Sequence, residues 1–201
     1  MEKTVFKGNA MLSPVPPVLV SCSDGVHQNV FTVAWTGTMC TDPPVTYISV
    51  RPSRYSYDLI EKSGEFVINL VPSSLVSVCD SCGVKSGRDI DKFKEYNLTG
   101  EMGKLKYAPI IRECPVNIEC KVREKLSLGT HDVFIADIVS VNVDNSLIDK
   151  TGRITLWKAN LIAFAHGSYY ELGKHLGNFG FSVRKRKKKR STSSSSRTKR
   201  T

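Results

Sequence analysis

The sequence has no long hydrophobic run. Its best apolar stretch, Ala159 to Ala165, is far short of the roughly 18–20 residues that a membrane-crossing helix needs, so no membrane partner is expected. It also lacks a leader-like start. Residues 1–17 (MEKTVFKGNAMLSPVPP) hold no apolar core of about 7–15 residues and meet Pro14, Pro16 and Pro17 instead. The expectation is a cytoplasmic protein with reduced cysteines. No GxGxxG follows the first apolar segment, which disfavours a Rossmann unit. Internal repeats and heptads are missing. His27, His166 and His175 lack ligand spacing to one another, and the CxxC at Cys79-Asp80-Ser81-Cys82 has no second pair, so no metal is assigned. A redox CxxC would follow a strand in a thioredoxin-like βαβ unit, which is not seen here; two cysteines on one helical turn is the simpler reading.

Acidic residues are missing from one place in particular. The chain of 201 residues carries 29 Lys+Arg against 19 Asp+Glu, a formal charge of +10. Residues 184–201 (RKRKKKRSTSSSSRTKRT) hold ten of the basic residues and no acid. Without them the body has 19 basic and 19 acidic residues, so it is neutral. The last 18 residues contain no apolar side chain to offset chain entropy, and disorder is expected there. Such a run reads either as a nuclear signal or nucleic-acid arm, or as a solvated extension. Residues 1–183 then form one domain; a chain of this size buries roughly 70% of its unfolded surface without disulfides or metals.

What the body does contain is short strand-like segments. Val18 to Cys22 is an apolar run closed by Ser23-Asp24-Gly25. Asn29 to Thr36 is β-branched and aromatic, Asp42-Pro43-Pro44 breaks the chain, and Val45 to Arg51 alternates. Ser53 or Ser56 is placed to cap a short helix through Lys62, and Glu65 to Leu70 is strand again. Residues 73–82 and 89–96 read as short helices, and 97–112 as irregular. Val116, Ile118, Cys120 and Val122 alternate with Asn117, Glu119, Lys121 and Arg123, a half-buried strand with Cys120 in the core. His131 to Val143 returns beside it, and Leu161 to Ala165 is last. About seven strands with short helical inserts argue for a mainly β (α+β) barrel.

Polar groups gather where these strands end. Arg51 and Arg54 offer charge and paired donors; Ser49, Ser53 and Ser56 add hydroxyls; the following helix begins with free N–H groups. That is the material of a phosphate cradle, and equally of a surface turn. Asp137 interrupts an apolar strand and requires a partner that the sequence does not name.

The order VRPSRYSYDLIEKSGEFVINL, then SGRDIDKF, IECKV and LGTHDVFIADIVSV, resembles the flavin reductase-like family with the FMN-binding split barrel, in its flavoredoxin-like branch. The likeness runs from about Val15 to Tyr170. It implies a Greek-key split barrel, a homodimer and one FMN per subunit, with FAD the less favoured flavin. It places the phosphate on Arg51, Ser53, Arg54 and Ser56, with Ser49 close by, and the flavin ring along Asn29, Thr32, Val33, Ala34 and Trp35. Asn69, Ser86 and Lys92 are further cofactor contacts, Lys92 either from the same chain or from the partner subunit. His131 matches a Gly-x-His position and is either structural or a group that orients a nicotinamide. Trp35 is core, flavin contact or both. The implied activity is transfer of a hydride from NAD(P)H through the flavin to a second acceptor: free flavin, a ferric complex or a redox partner protein. Two rivals stand beside it: a non-enzymatic FMN electron carrier of the same fold, and a β-barrel nucleic-acid binder using the basic arm. The neutral body argues against nucleic acid for the folded part.

Overall fold

The computed structural model describes residues 1–183. The expectation of a disordered basic tail falls outside the described residues. In chain order the strands and α-helices are β1 (Val18–Ser23), β2 (Gln28–Val33), β3 (Thr36–Thr41), β4 (Pro44–Val50), α1 (Tyr55–Ser63), β5 (Glu65–Leu70), α2 (Val76–Val84), α3 (Lys92–Glu95), β6 (Gly100–Glu101), β7 (Ile110–Ile111), β8 (Val116–Ser127), β9 (Asp132–Val143), β10 (Ile162–Ala165) and β11 (Ser168–Glu171). Among the described residues no helix is long and apolar enough to cross a membrane.

Seven strands form one antiparallel sheet in the order β2-β1-β5-β8-β9-β4-β3. Its two edges, β2 and β3, are separated in the chain by Ala34 and Trp35 alone. Edges that close in sequence must close in space, so the sheet rolls into a barrel. The Ser49 amide donates to the Trp35 carbonyl at 2.9 Å and pins the junction to β4. The single strand expected over 29–36 is thus a bent pair: the chain changes partner at Ala34–Trp35. β3 itself was not expected. Its residues (TGTMCT) are largely exposed and carry no apolar alternation, and Asp42-Pro43 forms its hairpin to β4 rather than ending the region. β11 escapes notice for the same reason, since SYYE is mostly exposed.

Alternate residues of the central strands fill the barrel. Val18, Val20 and Cys22 of β1, Phe66 and Ile68 of β5, Cys120 of β8, Phe134 and Ala136 of β9, and Ile48 and Val50 of β4 form its core. Leu19 points the other way, into a second cluster with Cys79 and Cys82 of α2. This two-sided covering explains why every residue of β1 is buried. Asp137 finds its partner in Arg123, at 2.6 Å.

The polar face of β8 departs from expectation. Asn117 and Glu119 are buried, Glu119 completely, because the 97–112 segment lies over them. The Glu119 carboxylate accepts from the amides of Lys104 (2.7 Å) and Leu105 (2.8 Å) and from Asn142 Nδ2 (2.9 Å). Glu65 holds the Tyr107 amide at 2.8 Å in the same way. Gly103 is required by this arrangement: a Cβ there would stand 2.5 Å from Glu119 Oε1. A polar alternation signals a half-exposed strand only where nothing with free N–H groups covers it. Glu119→Ala leaves those amides buried without acceptors and is expected to cost about 3 kcal/mol or more. Urea unfolding measures the loss, and hydrogen exchange should show Lys104 and Leu105 losing protection first. Glu119→Gln, which keeps one acceptor oxygen, should cost less.

Candidate functional site

β4 ends at Val50, which pairs with Asp132, the first residue of β9. The residues just beyond them, Arg51 and His131, therefore meet at the barrel rim. Arg51 Nε donates to His131 Nε2 at 3.4 Å. Thr36 pairs with Ile48, so the β2–β3 bend lies beside Ser49. Together these pieces line a cleft of 370 Å³ formed by Phe31, Thr32, Val33, Ala34, Trp35, Ser49, Val50, Arg51, Arg54 and His131. Phe31, Arg51 and Arg54 also line an adjoining cavity of 280 Å³, with Asn29, Ser53, Tyr55, Ser56, Cys82, Lys85, Ser86, Gly87, Arg88 and Lys92.

The first cleft sets the apolar surface of Phe31, Val33, Ala34, Trp35 and Val50 beside the polar groups of Thr32, Ser49, Arg51, Arg54 and His131. The rings of Trp35 and His131 lie 4.7 Å apart at 47°. Partial burial, then the nearby Arg51 and Arg54 guanidinium groups, lower the pKa of His131 below its ordinary value. The neutral ring accepts at Nε2 and leaves the proton on Nδ1, which lies 2.9 Å from Thr130 Oγ1. The Thr32 hydroxyl, although on this cleft, donates to the Cys79 carbonyl of α2.

The second cavity is a concentration of positive charge. Five cations line it and no carboxylate does. Arg54 Nη1 rests on the Gly83 carbonyl (3.1 Å), Arg88 Nη1 on the Ser53 carbonyl (3.2 Å) and Lys92 Nζ on the Cys82 carbonyl (2.8 Å). Lys85 alone has an acid, Glu95 at 3.4 Å. Lys92 is buried, and burial, with the Arg54 charge beside it, lowers its pKa. A cationic pocket with no carboxylate in its lining and, among the described residues, four of its five cations free of an acid suits an anion of more than one charge.

Local sequence explains how the cavity is held. Ser56 is not the helix cap; nor is Ser53. Arg54 occupies the N-cap of α1 with no side-chain capping bond, and Ser56 lies inside the first turn, where its Oγ accepts from Asn29 Nδ2 at 2.8 Å. Asn29 in turn touches the 86–92 loop. A Cβ on Gly87 would come within 2.4 Å of Asn29 Oδ1 and 2.6 Å of Tyr55, so only glycine allows this approach. Asp91 caps α3 by accepting from the Phe93 and Lys94 amides and thereby sets Lys92 at the cavity.

Of the residues singled out in the sequence, Asn29, Arg51, Ser53, Arg54, Ser56, Ser86 and Lys92 line the second cavity. Thr32, Val33, Ala34, Trp35, Ser49 and His131 line the first. Asn69 lines neither. It is buried beneath β7, donating to the Leu19 and Val67 carbonyls and Ser21 Oγ and accepting from Ile111 N and Asn117 Nδ2, so no group is left for a ligand. Sequence reasoning passed over Lys85 and Arg88. Arg88 stands within the SGRDIDKF motif, and nothing in the local sequence sets it apart as facing the cradle.

An antiparallel barrel with a partly apolar cleft at its rim, opening into a cationic cradle, has the shape and charge to suit a ligand with a flat body and an anionic tail. The comparisons with known proteins narrow this further. The family model for the flavin reductase like domain matches residues 11–173. The solved flavoredoxin of Desulfovibrio vulgaris (Miyazaki F) superposes with a TM-score of 0.84 at 30% identity, covering 91% of this chain and 100% of that one. An uncharacterized protein of Archaeoglobus fulgidus is 30% identical over 126 residues, 62% of this chain and 71% of its own. The FMN reductase (NADH) RutF of Pseudomonas syringae is 24% identical over 115 residues, 55% of this chain and 60% of its own. The chain belongs to the flavin reductase-like family, and its barrel is the split barrel of that family.

The charge on Lys92 is held against the preference of its surroundings. Lys92→Met is expected to stabilise the ligand-free chain by about 1 kcal/mol at pH 7. A depressed lysine pKa imposes its cost at every pH below that value and sheds it above, so the advantage of Met should shrink as pH rises toward 10.5. Urea unfolding of both chains at pH 7 and pH 10 checks the sign and the trend.

Proposed function

We propose that the chain binds FMN across the two adjoining cavities and serves as a flavin-dependent oxidoreductase. The observation that carries this reading is the five-cation, acid-free cavity joined through Phe31, Arg51 and Arg54 to a cleft walled by Val33, Ala34 and Trp35. A flavin mononucleotide has the matching order: a flat ring system, a polyol and a terminal phosphate. Arg51, Arg54, Arg88 and Lys92 hold the phosphate, with Ser53 and Ser86 on its flank. The Val33–Trp35 backbone and the Trp35 and His131 rings face the flavin. Bound there, the flavin supplies the redox chemistry, taking a hydride from NAD(P)H and passing electrons to a second acceptor.

The protein's own contribution is positional. The barrel wall excludes water from one ring face. Neutral His131, fixed by Arg51 at Nε2, presents an imidazole edge beside the cleft and orients the nicotinamide. Trp35, 45% exposed, forms the wall on the solvent side. The homodimer belongs to the same proposal; Val139 and Val141 on one face of β9 leave apolar surface for a partner subunit. A cytoplasmic location is also part of it.

The likeness to a flavoredoxin favours a second reading, an electron carrier that takes no hydride from a nicotinamide. Anaerobic addition of millimolar NADH or NADPH separates the two. The oxidoreductase bleaches its flavin absorbance within minutes; a carrier does not. The binding assignment has its own check. Arg51→Ala combined with Arg54→Ala is expected to give a folded, colourless protein, since each charge-assisted contact contributes about 1.5–3 kcal/mol. A purified double variant with normal flavin content would refute the assignment.

A further inference from the structure

The chain changes character after β11. From 172 to 201 it contains no acid and carries eleven Lys+Arg: Lys174 and the ten of residues 184–201. Over 172–183 the apolar side chains are displayed instead of buried. Leu172, Leu176, Phe179, Phe181 and Val183 are all exposed, and Leu176, Phe179 and Val183 almost wholly so. The backbone here is not tied to the barrel. Among the described residues its backbone–backbone hydrogen bonds are local, from the Phe181 amide to the Asn178 carbonyl and from the Val183 amide to the Gly180 carbonyl. None of these residues lines the rim cleft or the cationic cavity. Single exposed apolar residues are ordinary on any surface, but five within 172–183, ending against the seven successive cations of 184–190, mark an interaction site.

Each kind of partner meets this pairing differently. A nucleic acid takes the positive charge on its phosphates but offers no apolar surface to the aliphatic Leu172, Leu176 and Val183. A second copy of the chain offers apolar surface but sets a second group of cations against the first. An anionic lipid surface meets both needs at once, with negative headgroups outside and acyl chains just beneath. One such signal alone gives weak, reversible attachment; an apolar cluster beside a polybasic run supplies two. The lack of a spanning run excludes crossing a bilayer, whereas lying on its surface needs no run of that length.

We propose that residues 172–201 attach the barrel to a membrane surface rich in anionic lipid. Leu172, Leu176, Phe179 and Val183 enter the headgroup boundary, and the basic run lies over the lipid charge. The neutral body neither adds to this attraction nor opposes it. Attachment does not depend on the flavin reading, and its test needs no flavin signal.

The experiment is sedimentation of the full chain with vesicles of phosphatidylcholine alone and of phosphatidylcholine with about 30% phosphatidylserine. At about 0.1 M salt the chain is expected to bind the anionic vesicles at least tenfold more tightly than the neutral ones, and raising salt to about 0.5 M should weaken that binding tenfold or more. Two variants separate the two signals. Leu176→Ser with Phe179→Ser and Val183→Ser removes apolar side chains that are already exposed, so the fold is kept; an unchanged urea midpoint confirms it. Lys185→Gln with Lys187→Gln, Lys188→Gln and Lys189→Gln removes charge alone. Each is expected to weaken binding to the anionic vesicles tenfold or more. A wild-type chain that leaves both vesicles in solution overturns the attachment. So does an apolar variant that binds the anionic vesicles as the wild type does, since charge alone is then acting. Loss of a dimer in the lipid-free apolar variant assigns those side chains to a second copy and likewise overturns it. A short DNA duplex bound equally by the wild type and the apolar variant, with vesicles bound by neither, assigns the segment to nucleic acid instead.

Discussion

The rest of the structure depends on the bend at Ala34–Trp35. One length of chain supplies both edges of the sheet, β2 against β1 and β3 against β4, and it has only two residues in which to pass between them. The short link brings the two edges together at the rim, although β2 and β3 are not paired with each other. The same bend interrupts regular pairing at one point of the rim. There Ala34 and Trp35, outside the β2 and β3 ladders, stand beside Ser49, Arg51 and His131. This break in the pairing and the candidate site are the same feature.

Electrostatics supplies the second constraint. Five cations face one cavity, and three of them are held by carbonyls of Gly83, Ser53 and Cys82, not by carboxylates. Carbonyls fix a cation's position without neutralising it. Burial disfavours the charged form of Lys92, an unfavourable term that an anion beside it would offset. An apolar or acid-paired lysine would make a more stable barrel and a poorer anion site. The neutrality of the body as a whole makes this local excess more telling: 19 positive and 19 negative residues are distributed so that one cleft receives none of the acids.

Much of this was legible in the chain, for identifiable reasons. Strands that alternate or carry β-branched runs, such as β4, β5 and β9, were read to within a residue or two, because burial on one face leaves a period-two signature. β3 and β11 were not, because exposed strands on polar surface leave none. Arg51 and Arg54 stood out through charge at a strand end. Lys85 and Arg88 come from a loop about 30 residues away, brought to the cradle by the close approach of Gly87 to Asn29 and Tyr55 and by Arg88 on the Ser53 carbonyl. Asn69 and Glu119 mislead in the opposite direction. Each looks like a polar residue with a task at the surface, and each is consumed in holding the 97–112 segment down. Polar residues on strands announce a need for partners, not whether the partner is a ligand or the protein's own backbone.

The cysteines follow the same logic. Cys79 and Cys82 lie one turn apart on α2, as their spacing suggested, and Cys82 even borders the cradle. Their surroundings make them poor redox groups. Burial pushes Cys79 up to about 12 and Cys82 to about 11, so neither forms appreciable thiolate near neutral pH. Cys22, inside the barrel, is pushed to about 12 by the same cause. A cationic pocket would ordinarily favour a thiolate, and Lys92 does pull Cys82 downward, but desolvation is the larger effect. The positive charge of the cradle therefore acts on what enters from solvent rather than on the thiols behind it. Buried thiols with raised pKa values behave as small apolar side chains, and they pack α2 onto β1 and β2. That packing sets the Gly83 and Cys82 carbonyls on which Arg54 and Lys92 rest. The CxxC thus serves the site through the helix that carries it.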